Sequence, residues 1–139
     1  MPVLTRWFLK AALLYLVAAL ITGVLVVLPS AVQASPWVGA LTPVYFHLLM
    51  VGWVTQMIFG VAYWMFPRRK TPALVGPEWP GWLAFGALNA GLVLRAVAEP
   101  VVAGPRAPVM GALLAVSAAL QLAAVAVFAV GLWPRVKER

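Results

Sequence analysis

Apolar residues run along this chain in four long blocks, with neither the alternation of a half-buried strand nor the narrow stripe of a surface helix. A helix that crosses the hydrocarbon core of a bilayer needs about 20 mostly apolar residues, and the blocks at about residues 7–28, 43–66, 81–102 and 108–133 meet that length. Helix breakers bound them. The first stops at Pro29-Ser30, and the second is expected to open at Thr42-Pro43, a Thr N-cap followed by Pro in the first turn, and to close at Pro67-Arg68-Arg69-Lys70. The third starts at Pro80-Gly81-Trp82 and has Gly104-Pro105 beyond it; the fourth ends at Pro134-Arg135. No repeat is evident and the connections are short. The pattern predicts an all-α integral membrane protein, residues 1–139 forming one four-transmembrane-helix bundle. Val32-Gln33-Ala34 before Ser35 has the look of a signal-cleavage site, but the apolar stretch from Ala11 to Leu28 is longer than a secretory signal core, so the first span is expected to be retained.

Composition narrows the solvent. Hydrophobic residues make up 65% of the chain and charged residues only 9%, whereas a soluble domain carries about 25% charged residues. The same figures exclude disorder, and the absence of cysteine excludes disulfides and thiolate metal sites. The net charge of +7 does not point to nucleic acid, because the cations sit at the ends of the apolar blocks and form no stripe interleaved with aromatic residues.

Their placement gives an orientation. Arg6 and Lys10 lie at the start of the first block, Arg68, Arg69 and Lys70 follow the second, and Arg135, Lys137 and Arg139 follow the fourth; the opposite side has only Arg106 in its loops. The positive-inside rule then puts both termini and the central loop in the cytoplasm, with the chain in the inner (cytoplasmic) membrane. Trp7, Trp37, Trp79, Trp82 and Trp133 fall near the interfaces, as aromatic anchors do.

Ionisable side chains within a span are costly and mark candidate sites. The second block holds His47, the one histidine, and the third holds Arg95 and Glu99, four apart and so placed to pair. Counted from the outer ends at 1.5 Å per residue, His47 and Arg95 lie roughly 7 to 12 Å below the same surface. Gly52, Gln56 and Gly60 recur at four-residue spacing, a stripe suited to close helix contact. On a regular α-helix Gln56 lies about 180° from His47, whose face is shared by Met50, Val54, Ile58 and Met65. Tyr15 with Thr22, and Ser117 with Gln121, form further polar pairs on single faces. The methionines read as packing residues, and His47 or the Arg95–Glu99 pair could equally serve as interhelical hydrogen-bonding groups.

The segment from His47 through Gly52, Gln56 and Gly60 to Phe66-Pro67-Arg68 resembles the second helix of the catalytic subunit of haem-copper oxidases and the related nitric oxide reductases. The phrase Asn89-Ala90-Gly91-Leu92-Val93-Leu94-Arg95 with Glu99-Pro100 is similar to small membrane proteins grouped with that family. The likeness covers about 25 residues. It implies that His47 is an axial ligand of a b-type haem, and Arg95 is then the natural partner of a haem propionate. The family's catalytic subunits have about twelve spans and several further histidines; with four spans and one histidine, this chain alone cannot assemble a haem-copper centre. No Cys-x-x-Cys-His is present, so the haem would be held non-covalently.

A second axial ligand would come from the His47 of another copy across a twofold axis, or from Met110 near the outer start of the fourth block. An open face would instead suit a diatomic gas. Electron transfer or gas sensing is therefore the leading expectation, with a homo-oligomer or a respiratory-chain partner. A cofactor-free accessory or assembly subunit of a respiratory membrane complex is the alternative. Paired carboxylates, a serine with a base and a phosphate-binding glycine loop are all absent from the sequence, so an enzyme is not expected, quinol oxidation at a haem excepted. A proton-coupled exporter is disfavoured because Glu99, the one acidic residue within a span, sits near the surface beside Arg95.

Overall fold

A computed structural model describes residues 1–28, 36–66, 78–101 and 107–136. Five helices and a closing 3-10 turn (Trp133–Arg135) occupy them, the helices being α1 (Val3–Val27), the single turn α2 (Pro36–Gly39), α3 (Leu41–Met65), α4 (Trp79–Val101) and α5 (Ala107–Leu132). Four of these, all but α2, are long and apolar enough to cross a membrane. At 1.5 Å per residue, α1 alone extends about 37 Å. The candidate cleavage site at Val32–Ser35, the breakers Pro29-Ser30, Pro67 to Lys70 and Gly104-Pro105, and the cations Arg106, Lys137 and Arg139 lie outside the described residues.

The expected spans hold to within a few residues, with two local differences. Thr42 does not cap α3: the helix begins at Leu41, the cap position is Ala40, and no side chain bonds there. Ala40 already has helical dihedrals (φ −75°, ψ −6°), so the chain enters from α2 without the extended residue that an N-cap side chain requires. The second difference is inside α3, where Leu48–Thr55 is π-helical. The hydroxyl of Thr55 donates to the carbonyl of Met50, five residues back, at 2.9 Å. An i→i+5 ladder winds more residues into each turn than an α-helix does, so the regular 100° step from His47 to Gln56 does not apply across this segment.

Helices α1 and α3 pack as one hairpin and α4 and α5 as another. A core drawn from all four long helices joins the hairpins at the end that holds the start of α1: Leu4, Phe8, Phe59, Tyr63, Ala84, Leu88, Leu92, Ala124 and Phe128 are buried there. Phe8 meets Phe85 edge to face at 5.1 Å between centroids, and Phe59 stacks on Phe128 at 3.6 Å. Trp7, Trp64, Trp79, Trp82 and Trp133 surround this end, all exposed. At the other end the core is thinner, with Ala19, Val44 and Leu48 buried between α1 and α3 and Ala96 of α4 against them.

The glycine stripe of α3 lies against α1. A Cβ on Gly52 would stand 2.8 Å from Cβ and Cγ of Tyr15, and one on Gly60 would stand 3.1 Å from Phe8 and Leu9. Tyr15 and Phe8 meet the glycines through their Cβ atoms, next to their own backbone, so relief requires moving α1. Gly52→Ala is therefore expected to cost about 1–3 kcal/mol through overpacking. Gly86→Ala and Gly111→Ala, with open space at the new methyl, should be neutral or slightly stabilising; thermal unfolding of the three detergent-solubilised variants checks the contrast.

Candidate functional site

His47 is the last α-helical residue before the π-helical segment. Its Nδ1 lies 2.9 Å from the carbonyl oxygen of Pro43, one turn back. A carbonyl can only accept, so Nδ1 carries a proton, and Nε2 is the ring nitrogen left to act as a ligand. No described residue bonds Nε2. The ring is half-buried at the flank of the stripe formed by Val44 and Leu48. Met50, Ile58 and Met65, assigned to the same face by the sequence, are 53%, 57% and 62% exposed, whereas Gln56 is completely buried. Gln56 thus turns into the bundle and Met50, Ile58 and Met65 turn outward, with His47 and Val54 half-buried.

The inward face carries an amide pair. Gln56 Nε2 donates to Asn89 Oδ1 and Asn89 Nδ2 donates to Gln56 Oε1, both at 3.3 Å, while Asn89 also donates to the Phe85 carbonyl at 2.7 Å. A second polar contact ties α4 to α5: Ser117 Oγ donates to the Gly91 carbonyl at 2.6 Å and accepts from Gln121 at 3.1 Å. The expected Ser117–Gln121 pairing is present. Thr22 turns to its own helix, donating to Ala18 at 2.8 Å, and makes no bond to Tyr15.

Arg95 and Glu99 form the expected pair, with Nε to Oε2 at 2.7 Å and a second bond at 3.3 Å. Their side chains are 21% and 12% exposed. The last turn of α4, Glu99–Val101, lies beside both Leu41–His47 and α5. His47, the ion pair and Met110, which stands half-buried in the first turn of α5, therefore share one end of the bundle. Among the described residues no hydrogen bond or ion pair joins His47 to Arg95 or Met110. No group of three or more His, Asp or Glu side chains able to hold a bare metal ion occurs among the described residues. Among the described residues the site thus offers one imidazole as a donor.

Asn89 is the residue that spacing missed as a partner for Gln56. The signal was available: Gln56 is nine residues before Met65 and Asn89 ten after Trp79, a common depth of about 14 Å. Far from His47, a cavity of about 430 Å³ opens among Leu4, Thr5, Tyr63, Trp64, Glu78 and Arg135. Thr5 Oγ1 beside it is buried without a hydrogen-bond partner among the described residues.

Gln56→Leu should cost about 1 kcal/mol, because it leaves the half-buried Asn89 carbonyl oxygen without its partner. The double variant Gln56→Leu, Asn89→Leu should recover part of that loss, and a double-mutant cycle on unfolding in detergent reads the coupling directly. No family model, curated protein or solved structure matches this chain, so the chemistry of the site rests on its own residues.

Proposed function

We propose that this chain is a membrane-embedded protein that binds a b-type haem non-covalently through His47 and serves electron transfer or the sensing of a diatomic gas. The observation that carries the reading is the polarised imidazole. Donation from Nδ1 to a backbone carbonyl fixes the tautomer and orients the ring, as it does for metal-ligating histidines. The π-helical segment that begins one residue later supports it, since such segments occur frequently at functional sites.

The donor set fits a haem on these terms. Imidazole suits iron, and the porphyrin supplies the equatorial nitrogens that the protein lacks. The interior beside His47 is filled by Ala19, Val44 and Leu48, so the group would lie against the outward apolar face with Met50. Arg95 is the residue to engage a propionate, sharing its charge with Glu99. The His47 of a second copy, or Met110, would be the further residue to hold the group. When bound, the haem supplies a one-electron couple or an iron site for a gas; the chain's part is to bind and orient it.

A cofactor-free accessory subunit of a larger membrane complex is the second reading, favoured by an Arg95–Glu99 pair that is already complete. The cation distribution further supports a cytoplasmic-membrane location with both termini inside. Because the chain has no native cysteine, single introduced cysteines test that orientation. Val136→Cys should be labelled by an impermeant maleimide only after the cytoplasmic face is opened, and Val109→Cys from the outside of intact cells.

Visible spectra of protein from a haem-replete host, oxidised and dithionite-reduced, test the function. Wild type should show sharp reduced bands that His47→Ala abolishes while the protein stays folded. Arg95→Leu should lower haem retention or shift the midpoint potential. Absence of haem in the wild type across hosts and detergents would favour the accessory reading, and an unchanged haem spectrum in His47→Ala would overturn His47 as the ligand.

A further inference from the structure

The start of α1 holds a basic groove unrelated to His47. Val3, Arg6, Trp7 and Lys10 line a depression of about 200 Å³. Arg6 and Lys10, one turn apart on one flank of the helix, are both exposed, and neither side chain has a hydrogen-bond or ion-pair partner among the described residues. The chain cannot neutralise its own cations: ten Lys and Arg face three acidic residues, and one of those, Glu99, is taken by Arg95 at the opposite end. Trp7 forms a wall of the groove and meets Phe85 edge to face at 6.5 Å between centroids. The exposed tryptophans Trp7, Trp79, Trp82 and Trp133 mark this end as the level of a membrane interface.

Lys10 sits about 6 Å deeper along the axis than Arg6, and below it the exposed side chains are Leu13, Leu14 and Val17. An ammonium group left in that surrounding is costly. Helical side chains lean toward the N-terminus of their helix, so the four-carbon stem carries the charge up toward Arg6 and the headgroup level. We propose that Arg6 and Lys10 clasp the phosphate of an anionic phospholipid, with Trp7 and Val3 against its glycerol and upper acyl chain. The guanidinium supplies a forked pair of donors to phosphate oxygens, and the ammonium supplies a point charge from below.

Native mass spectrometry of the full chain in mild detergent, titrated with phosphatidylglycerol or with phosphatidylcholine of the same acyl composition, tests this. Wild type should retain phosphatidylglycerol in preference to phosphatidylcholine. R6Q and K10Q should each lower phosphatidylglycerol affinity about fivefold, R6K and K10R should restore most of it, and R135Q at the same end should leave it nearly unchanged. Millimolar inorganic phosphate should fail to displace the lipid; displacement would mean a free-anion site and overturn the proposal. Equal retention of both lipids by wild type, an undiminished preference in R6Q/K10Q, or an equal loss in R135Q, the signature of net charge alone, would overturn it as well. Should R6Q/K10Q fail to fold, each single variant beside its charge-conserving counterpart reads the same loss and restoration of affinity.

Discussion

Hydrocarbon offers no hydrogen-bond partner, and that constraint organises the polar residues of this bundle. Gln56 and Asn89 bond each other, Ser117 reaches the Gly91 carbonyl, Thr22 and Thr55 return to their own backbone, and Arg95 holds Glu99. Interhelical bonds of this kind average only about 0.6 kcal/mol in membrane bundles, so they add little to the stability that packing provides. Their effect is on arrangement: an α3 rotated away from α4 would strand the buried Gln56 amide, at about 1–3 kcal/mol, and leave Asn89 with only its bond to Phe85. Fixing which face of α3 points inward also fixes which face points outward, and so places His47.

The π-helical segment lies between these two roles. His47 immediately precedes it and Gln56 immediately follows it. Its wider winding alters the angular offset between the histidine and the amide from the value that a regular helix would impose. The same eight residues contain Gly52, where α1 approaches so closely that Tyr15 occupies the space of a side chain. Close contact with α1, pairing with α4 and a half-buried imidazole meet on one helix across one irregular stretch.

Much of this could be read from the chain. The four spans follow from block length alone, because the hydrophobic requirement of a bilayer is coarse and tolerates errors of a few residues at each end. Arg95 with Glu99, and Ser117 with Gln121, follow from four-residue spacing on a helix. Thr42 misleads because capping depends on the dihedral of the residue before the helix, which α2 sets through Ala40. The π segment leaves no mark in hydropathy, since a run such as Leu48–Thr55 is apolar under either winding. The Gln56–Asn89 pair needed a comparison of depths between spans, which patterns within one span do not provide.

The two ends of the bundle are built differently, and the difference bears on where a ligand can act. Where α1 starts, all four long helices contribute rings and aliphatic side chains to one core. At the His47 end the buried cluster is three residues of α1 and α3, with α4 touching it through Ala96 and its final turn. Regions with fewer buried contacts open at lower free energy. The end that carries His47, Arg95 and Met110 is therefore the one able to adjust to a bound group, while the aromatic end and the amide pair hold the helices in register. A histidine whose ring is oriented by its own backbone keeps its direction through such adjustment, because the Pro43 carbonyl moves with the same turn of helix.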